Sequence, residues 1–183
     1  MTAPPPRIGF RHCDPRFAFL WQASTQPAAR WHAPGAGPAN YFADTPTGAW
    51  AEFLRHEGIT DEADLAGIQR ALWAVQLPPD GYAQPDLPLD QLTGGLHSHP
   101  ACQAEARRLR SAGADRLQAS SAALLPGGAS GWQVGVDAKQ TPSPARDGLV
   151  WVVFGAMPDA IGWPVVDAGA PPRGVVARVS ALA

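Results

Sequence analysis

Residues 29–58 read ARWHAPGAGPANYFADTPTGAWAEFLRHEG, and a loop, a strand and a helix follow one another within that stretch. Pro27 to Pro38 is rich in glycine and proline, with Trp31 as its only large apolar residue, so it reads as loop. Asn40 to Ala43 is short and aromatic and suits a strand. Asp44-Thr45-Pro46 then supplies a cap and a proline at a first helical position. A helix from Pro46 to His56 is predicted, closed by Gly58. On its wheel Glu52 lies beside Ala49 and Phe53, so this carboxylate borders the core face.

Upstream, Arg7 to Phe10 suits a short strand, and Phe17 to Trp21 is an apolar patch that fits either type of element. Downstream, Thr60 and Asp61 can cap a second helix carrying Leu65, Ile68 and Leu72 at helical spacing. Leu72 to Leu77 then alternates two unequal faces, as a strand does. Gly81 to Pro100, rich in Pro, Asp and Gly, predicts an excursion over the surface. Ala101 to Ser111 predicts a helix ended by Gly113, and Arg116 to Ala119 leads into a turn at Ser120-Ser121. Leu149 to Phe154 is an unbroken β-prone run that predicts a strand buried on both faces, and Val175 to Val179 suits a last strand.

The irregular rhythm of these elements predicts an α+β fold: a single compact domain, residues 1–183, with a mixed or antiparallel sheet and flanking short helices. Its core is expected over about residues 7–154, with 155–183 as a C-terminal extension. The 20 prolines and 19 glycines follow no repeat and argue against a helix bundle. Hydrophobic residues make up 45% of the 183 and charged residues only 16%, far from the signature of disorder. A net charge of -2 offers no footprint for a phosphate backbone, and the cluster Arg107, Arg108 and Arg110 reads as a solvated helix face. Nucleic acid and membrane are thus not expected as partners. Pro4-Pro5-Pro6 stands where a signal peptide needs an apolar run, so a cytoplasmic location is expected. Cys13 and Cys102 are too few for a disulfide framework.

Residue types alone leave the chemistry open. Arg30 in a glycine- and proline-rich loop suits an anionic ligand, but most arginines are surface cations and most helix glutamates are solvated. His97, His99 and Cys102 lie close in sequence, yet Pro100 and the missing fourth ligand argue against a closed tetrahedral centre, so no metal is expected. Gly94-Gly95 and Gly127-Gly128 do not form the glycine fingerprint of a dinucleotide-binding strand-turn-helix unit.

The order Arg30-Trp31-His32, glycine loop, Tyr41-Phe42-Ala43, Thr-Pro turn and Ala-x-Glu52 helix resembles the RES-domain family, whose name abbreviates Arg, Glu and Ser. Gly113-Ala114-Asp115-Arg116-Leu117 and Ser120-Ser121-Ala122 resemble its later strand and its Pro-Ser-Ala turn. Ser121 matches the family serine, and Ser120 stands where the family has proline, which leaves the register between the two open. Ala29 replaces the usual glycine before the arginine, and Leu149 to Phe154 fits the closing apolar strand.

The resemblance implies an ADP-ribosyltransferase-like fold and a toxin-type enzyme that consumes NAD as substrate, with no bound cofactor. Glu52 would stabilise the positive charge that develops on the ribose as the nicotinamide bond breaks, through the ribose hydroxyls or directly. By the same resemblance Arg30 would hold the pyrophosphate, Tyr41 would stack on nicotinamide or its ribose, and Ser121 would orient the ribose or Glu52. Arg11 would be a second phosphate ligand and His32 would touch the substrate. Water, phosphate or a protein or small-molecule acceptor would complete hydrolysis, phosphorolysis or ADP-ribosyl transfer. A helix-turn-helix antitoxin of the Xre type is the implied partner, and a homodimer the implied assembly. A non-catalytic interaction module that keeps the fold is the reading from another class.

Overall fold

The computed structural model describes residues 4–21 and 26–182. Its strands are β1 (Arg7–Cys13), β2 (Ala39–Ala43), β3 (Arg70–Leu77), β4 (Arg116–Ser120), β5 (Trp132–Val134), β6 (Gln140–Pro142), β7 (Leu149–Phe154) and β8 (Gly162–Gly169). Its α-helices are α1 (Pro46–His56), α2 (Leu89–Thr93) and α3 (His99–Ser111). Six strands form one sheet in the order β4-β7-β2-β1-β3-β8, antiparallel at every ladder, and β5 with β6 makes a small separate hairpin. The fold is α+β, one compact domain.

β7 lies inside the sheet, between β4 and β2, which is why its residues run apolar without alternation. Val150, Val152 and Phe154 join Ala39, Leu117 and Ala119 under Cys102, Ala106 and Leu109 of α3. Trp151 and Val153 face the other way, with Phe42, Trp73, Val75 and Leu77, and are covered by Phe19, Leu20, Tyr82 and Met157. Alongside α3, α1 lays Trp50, Phe53 and Leu54 on Ala43, Leu65 and Leu72. Fully burying a side chain such as Leu54 stabilises the fold by about 1.5–3 kcal/mol.

α1 begins where the capping chemistry places it. The Thr45 hydroxyl accepts from the Gly48 N–H at 3.0 Å, and Pro46 occupies the first turn. Behind it Asp44 accepts from the Leu149 N–H at 3.1 Å and pairs with Arg146, which ties the helix start to β7. The helix closes as Gly58 turns to φ +67° and the Ile59 N–H reaches the Leu54 carbonyl at 2.9 Å.

Several expectations differ from the structure. Asp61 does cap, but only a single 3-10 turn, Glu62–Leu65; the chain then turns straight into β3, so Ile68 packs on the α1 cluster from a turn. The surface excursion at 81–100 contains α2 and a 3-10 turn at Leu96–Ser98. Val175 to Val179 is not a strand: Arg173–Arg178 is a 3-10 helix following Pro171-Pro172, and Val175, Val176 and Val179 pack on the α1 cluster at helical spacing. The last strand is β8 instead, paired with β3, so residues 162–169 belong to the main sheet.

Candidate active site

β1 and β2 share one registered pair, Phe10 with Ala43, and then part. A cleft of about 630 Å3 opens in that fork. Arg11, His12 and Cys13 line it from the β1 side and Tyr41 and Phe42 from the β2 side. α1 crosses beneath and turns Ala49, Glu52, Arg55 and His56 toward the cleft, one stripe at helical spacing beside its buried stripe of Trp50, Phe53 and Leu54. The tight turn at 29–32, closed by Ala29 N–H to the His32 carbonyl at 3.0 Å and the reverse bond at 3.3 Å, brings Arg30 to the cleft while Trp31 enters the core.

Two carboxylates line this space. Asp14 is spoken for by Arg16, whose guanidinium lies 2.7 Å away, and this pairing brings its pKa down to about 2. Glu52 is therefore the carboxylate left to a ligand. Burial holds its carboxyl above the usual range, against the opposing pull of Arg55, Arg30 and a hydrogen bond from Ser121. That bond runs from the Ser121 hydroxyl to Glu52 Oε1 at 3.4 Å, and the Ser121 oxygen accepts from the Ala123 N–H at 3.2 Å. Of the two adjacent serines, Ser121 is thus the one that meets Glu52, whereas Ser120 ends β4 opposite Leu149. Glu57 and Glu62 are exposed and lie outside the cleft lining.

Arg30 is buried and already bonded. Its Nη1 donates to the Gln91 carbonyl at 3.1 Å and the Ser98 hydroxyl at 2.7 Å, and its Nη2 donates to the Gly94 carbonyl. Arg55, one turn after Glu52, donates to the same Gly94 carbonyl at 3.0 Å and to the Ala122 carbonyl. Two guanidiniums thus clasp the 91–98 segment next to the Glu52 carboxylate. Gly94 has no room for a side chain, since a Cβ there would stand 2.6 Å from the Asp90 carbonyl oxygen.

Tyr41 turns its hydroxyl inward. It accepts from the Trp31 N–H at 3.0 Å and lies 3.0 Å from His32 Nδ1. Burial raises the Tyr41 pKa and lowers that of His32, so a protonated phenol and a neutral imidazole share this hydrogen bond. His32 is buried behind Tyr41 and does not line the cleft.

Arg11 and Arg70 add cations that residue types alone did not single out as a pair. Each Nε is buried without a hydrogen-bond partner among the described residues. Between them His12 accepts from Arg70 Nη2 at 3.1 Å on its Nδ1, and burial together with Arg70, Arg11 and His56 depresses its pKa to about 3. Phe17 and Trp21 complete the rim. The signal for Arg70 was faint: it stands at the start of β3, far from the quoted stretch, and only the antiparallel pairing with β1 brings it beside His12. Among the described residues no group of three or more His, Cys, Asp or Glu is placed to hold a metal ion, and no helix is long and apolar enough to cross a membrane.

A family model described as the RES domain matches residues 4–171. This chain belongs to the RES-domain family. Comparison with curated proteins and with solved structures finds no match. The family match runs through β8 and so takes in the whole six-stranded sheet. Membership supports an NAD-related, toxin-type activity at the level of the RES family.

Proposed function

We propose that this RES-domain protein breaks the nicotinamide–ribose bond of NAD, with Glu52 as the charge-stabilising carboxylate. The observation that carries the reading is a lone unpaired carboxylate, held by Ser121, facing Tyr41 and ringed by cations in a cleft of nucleotide size. As the bond breaks, its electron pair leaves on the pyridinium nitrogen, nicotinamide departs neutral, and positive charge develops on the ribose. An ionised Glu52, held by Ser121, opposes that charge without reorganising. An acceptor oxygen then bonds to the ribose carbon and loses its proton, whether it comes from water, phosphate or another molecule.

Tyr41 presents its ring to the nicotinamide ribose, because its hydroxyl is engaged away from the cleft. Arg11, with a buried and unpaired Nε, takes the pyrophosphate. Arg30 acts on Glu52 through its field and on the cleft wall through Gln91, Gly94 and Ser98, while His32 orients Tyr41. In a cell such an enzyme would deplete NAD and require a neutralising partner. A helix-turn-helix antitoxin that covers the cleft is the partner proposed.

The test is to incubate the purified protein with NAD, with and without phosphate, and to separate the products. Nicotinamide release is expected, and the accompanying ribosyl product identifies the acceptor. Glu52→Gln should reduce release by about 100-fold or more, the scale of losing a preorganised electrostatic group, while the circular dichroism stays unchanged. No nicotinamide under any condition, or full activity in Glu52→Gln, would overturn the proposal.

A further inference from the structure

Phe17 and Trp21 are the two exposed aromatic residues on the cleft lining, 43% and 53% open to solvent. Their rings stack with centroids 4.4 Å apart and planes 14° from parallel. Two successive turns produce that arrangement: the Phe17 N–H bonds the Asp14 carbonyl at 3.1 Å and the Trp21 N–H bonds the Ala18 carbonyl at 2.8 Å. Asp14 also accepts from the Arg16 N–H at 2.9 Å, and Arg16, held by Asp14, lies over the Phe17 ring at 5.7 Å. Between the two exposed rings, Phe19 and Leu20 point the other way into the core. Phe19 stacks on Trp73 at 4.8 Å and fits against Gly162, where a Cβ would come within 2.9 Å of its ring. The segment is thus pinned from below while it offers a flat apolar surface to the cleft.

Among the described residues, neither ring joins a hydrophobic core cluster. Exposed single apolar residues are ordinary, but a preorganised parallel pair at the mouth of a polar cleft is the form that stacks planar bases. Its position along the chain is equally specific. From the fork at Phe10, β1 runs outward through Arg11 to Cys13, about 10 Å at strand rise, and the rim pair follows directly. A nucleotide with its reacting ribose at Glu52 and its phosphates at Arg11 would place its far base at this rim.

We propose that Phe17 and Trp21 form a base-stacking subsite for the adenine of the dinucleotide. The subsite rests on the NAD reading for its occupant, and it gives the enzyme a preference for NAD over the same nicotinamide–ribose bond in a mononucleotide. The experiment compares native protein with a Phe17→Ala/Trp21→Ala double variant, using NAD and nicotinamide mononucleotide as alternative substrates. Loss of stacking should raise KM for NAD by about 10-fold or more, with kcat and every mononucleotide parameter unchanged. AMP binding, read by calorimetry, should weaken in the same variant, and this arm does not depend on catalysis. If the protein binds AMP through these residues but cleaves neither substrate, the cleavage reading falls and the subsite stands. If NAD is cleaved but the double variant leaves its KM and AMP affinity unchanged, or impairs both substrates equally, the subsite is overturned.

Discussion

Glu52 carries the most consequences for a single residue. Its folded pKa is raised, so the folded state holds that proton more tightly than the unfolded chain does. The stability it contributes is therefore fully present below the unfolded value of about 4.3 and is lost as pH rises through the raised folded value. Glu52→Gln should melt above the native protein at pH 8, by about 2–4 °C for each kcal/mol recovered, and the gain should vanish near pH 4. Equal melting at both pH values would mean that the carboxyl is solvated in the ordinary way. The neighbouring cation acts in the opposite sense. Arg55 favours the ionised form, so Arg55→Met should move the acid limb of the rate–pH profile to higher pH, while Arg55→Lys should restore part of it. A limb that does not move would reduce Arg55 to a tether for the Ala122 and Gly94 carbonyls. Glu52 was legible from its Ala-x-Glu pattern on a capped helix. Arg55, three residues on, was not, because helical spacing does not tell a solvated guanidinium from one whose carbonyl partners arrive from residues 94 and 122.

Among the elements, those with local causes were the ones the chain announced. The helix over Pro46–His56 and the strand over Leu149–Phe154 have the bounds expected of them, the first from a Thr cap and a closing glycine, the second from an unbroken β-branched and aromatic run. Thr45→Ala should cost about 1 kcal/mol by removing the cap to Gly48, and denaturant unfolding measures it directly. Elements whose form depends on a partner were not announced. The run Gly162-Trp163-Pro164-Val165 lies in what was expected to be a C-terminal extension, yet it forms β8 because β3 offers an open edge, and an edge strand accepts Pro164 and a bulge. Val175 to Val179 has β-prone residues but winds into a 3-10 helix, since the α1 cluster takes up three apolar side chains at helical spacing.

At the scale of the whole molecule, the cleft exists because one sheet forks. β2 keeps five registered pairs with β7 and β1 keeps seven with β3, while β1 and β2 keep one. The two halves of the sheet are thus firm and the seam between them opens onto the site. The rim is tied to the far edge through Phe19 under Gly162. Gly162→Ala should lower the melting temperature and speed proteolytic cutting in the segment after Cys13, because the added Cβ must displace the Phe19 ring. Unchanged cutting would mean that the rim is held by its own turns alone.

The sequence by itself determined the α+β class, the capped helix that carries Glu52, the buried β7 strand and the likeness of Arg30, Tyr41 and Glu52 to the RES pattern, while it left Ser120 and Ser121 as alternatives. These rest on local chemistry: a cap, a hydrophobic period, a turn, a spacing between residues near one another in the chain. Only the tertiary structure decided that Arg30 spends its donors on the 91–98 segment, that His32 backs Tyr41 and that Arg70 joins Arg11 across β1 and β3. It also decided that Phe17 and Trp21 reach the cleft while Phe19 anchors them. Each of those outcomes depends on which distant group satisfies a buried donor or fills a space, and that is settled by packing between strands and segments far apart in the chain.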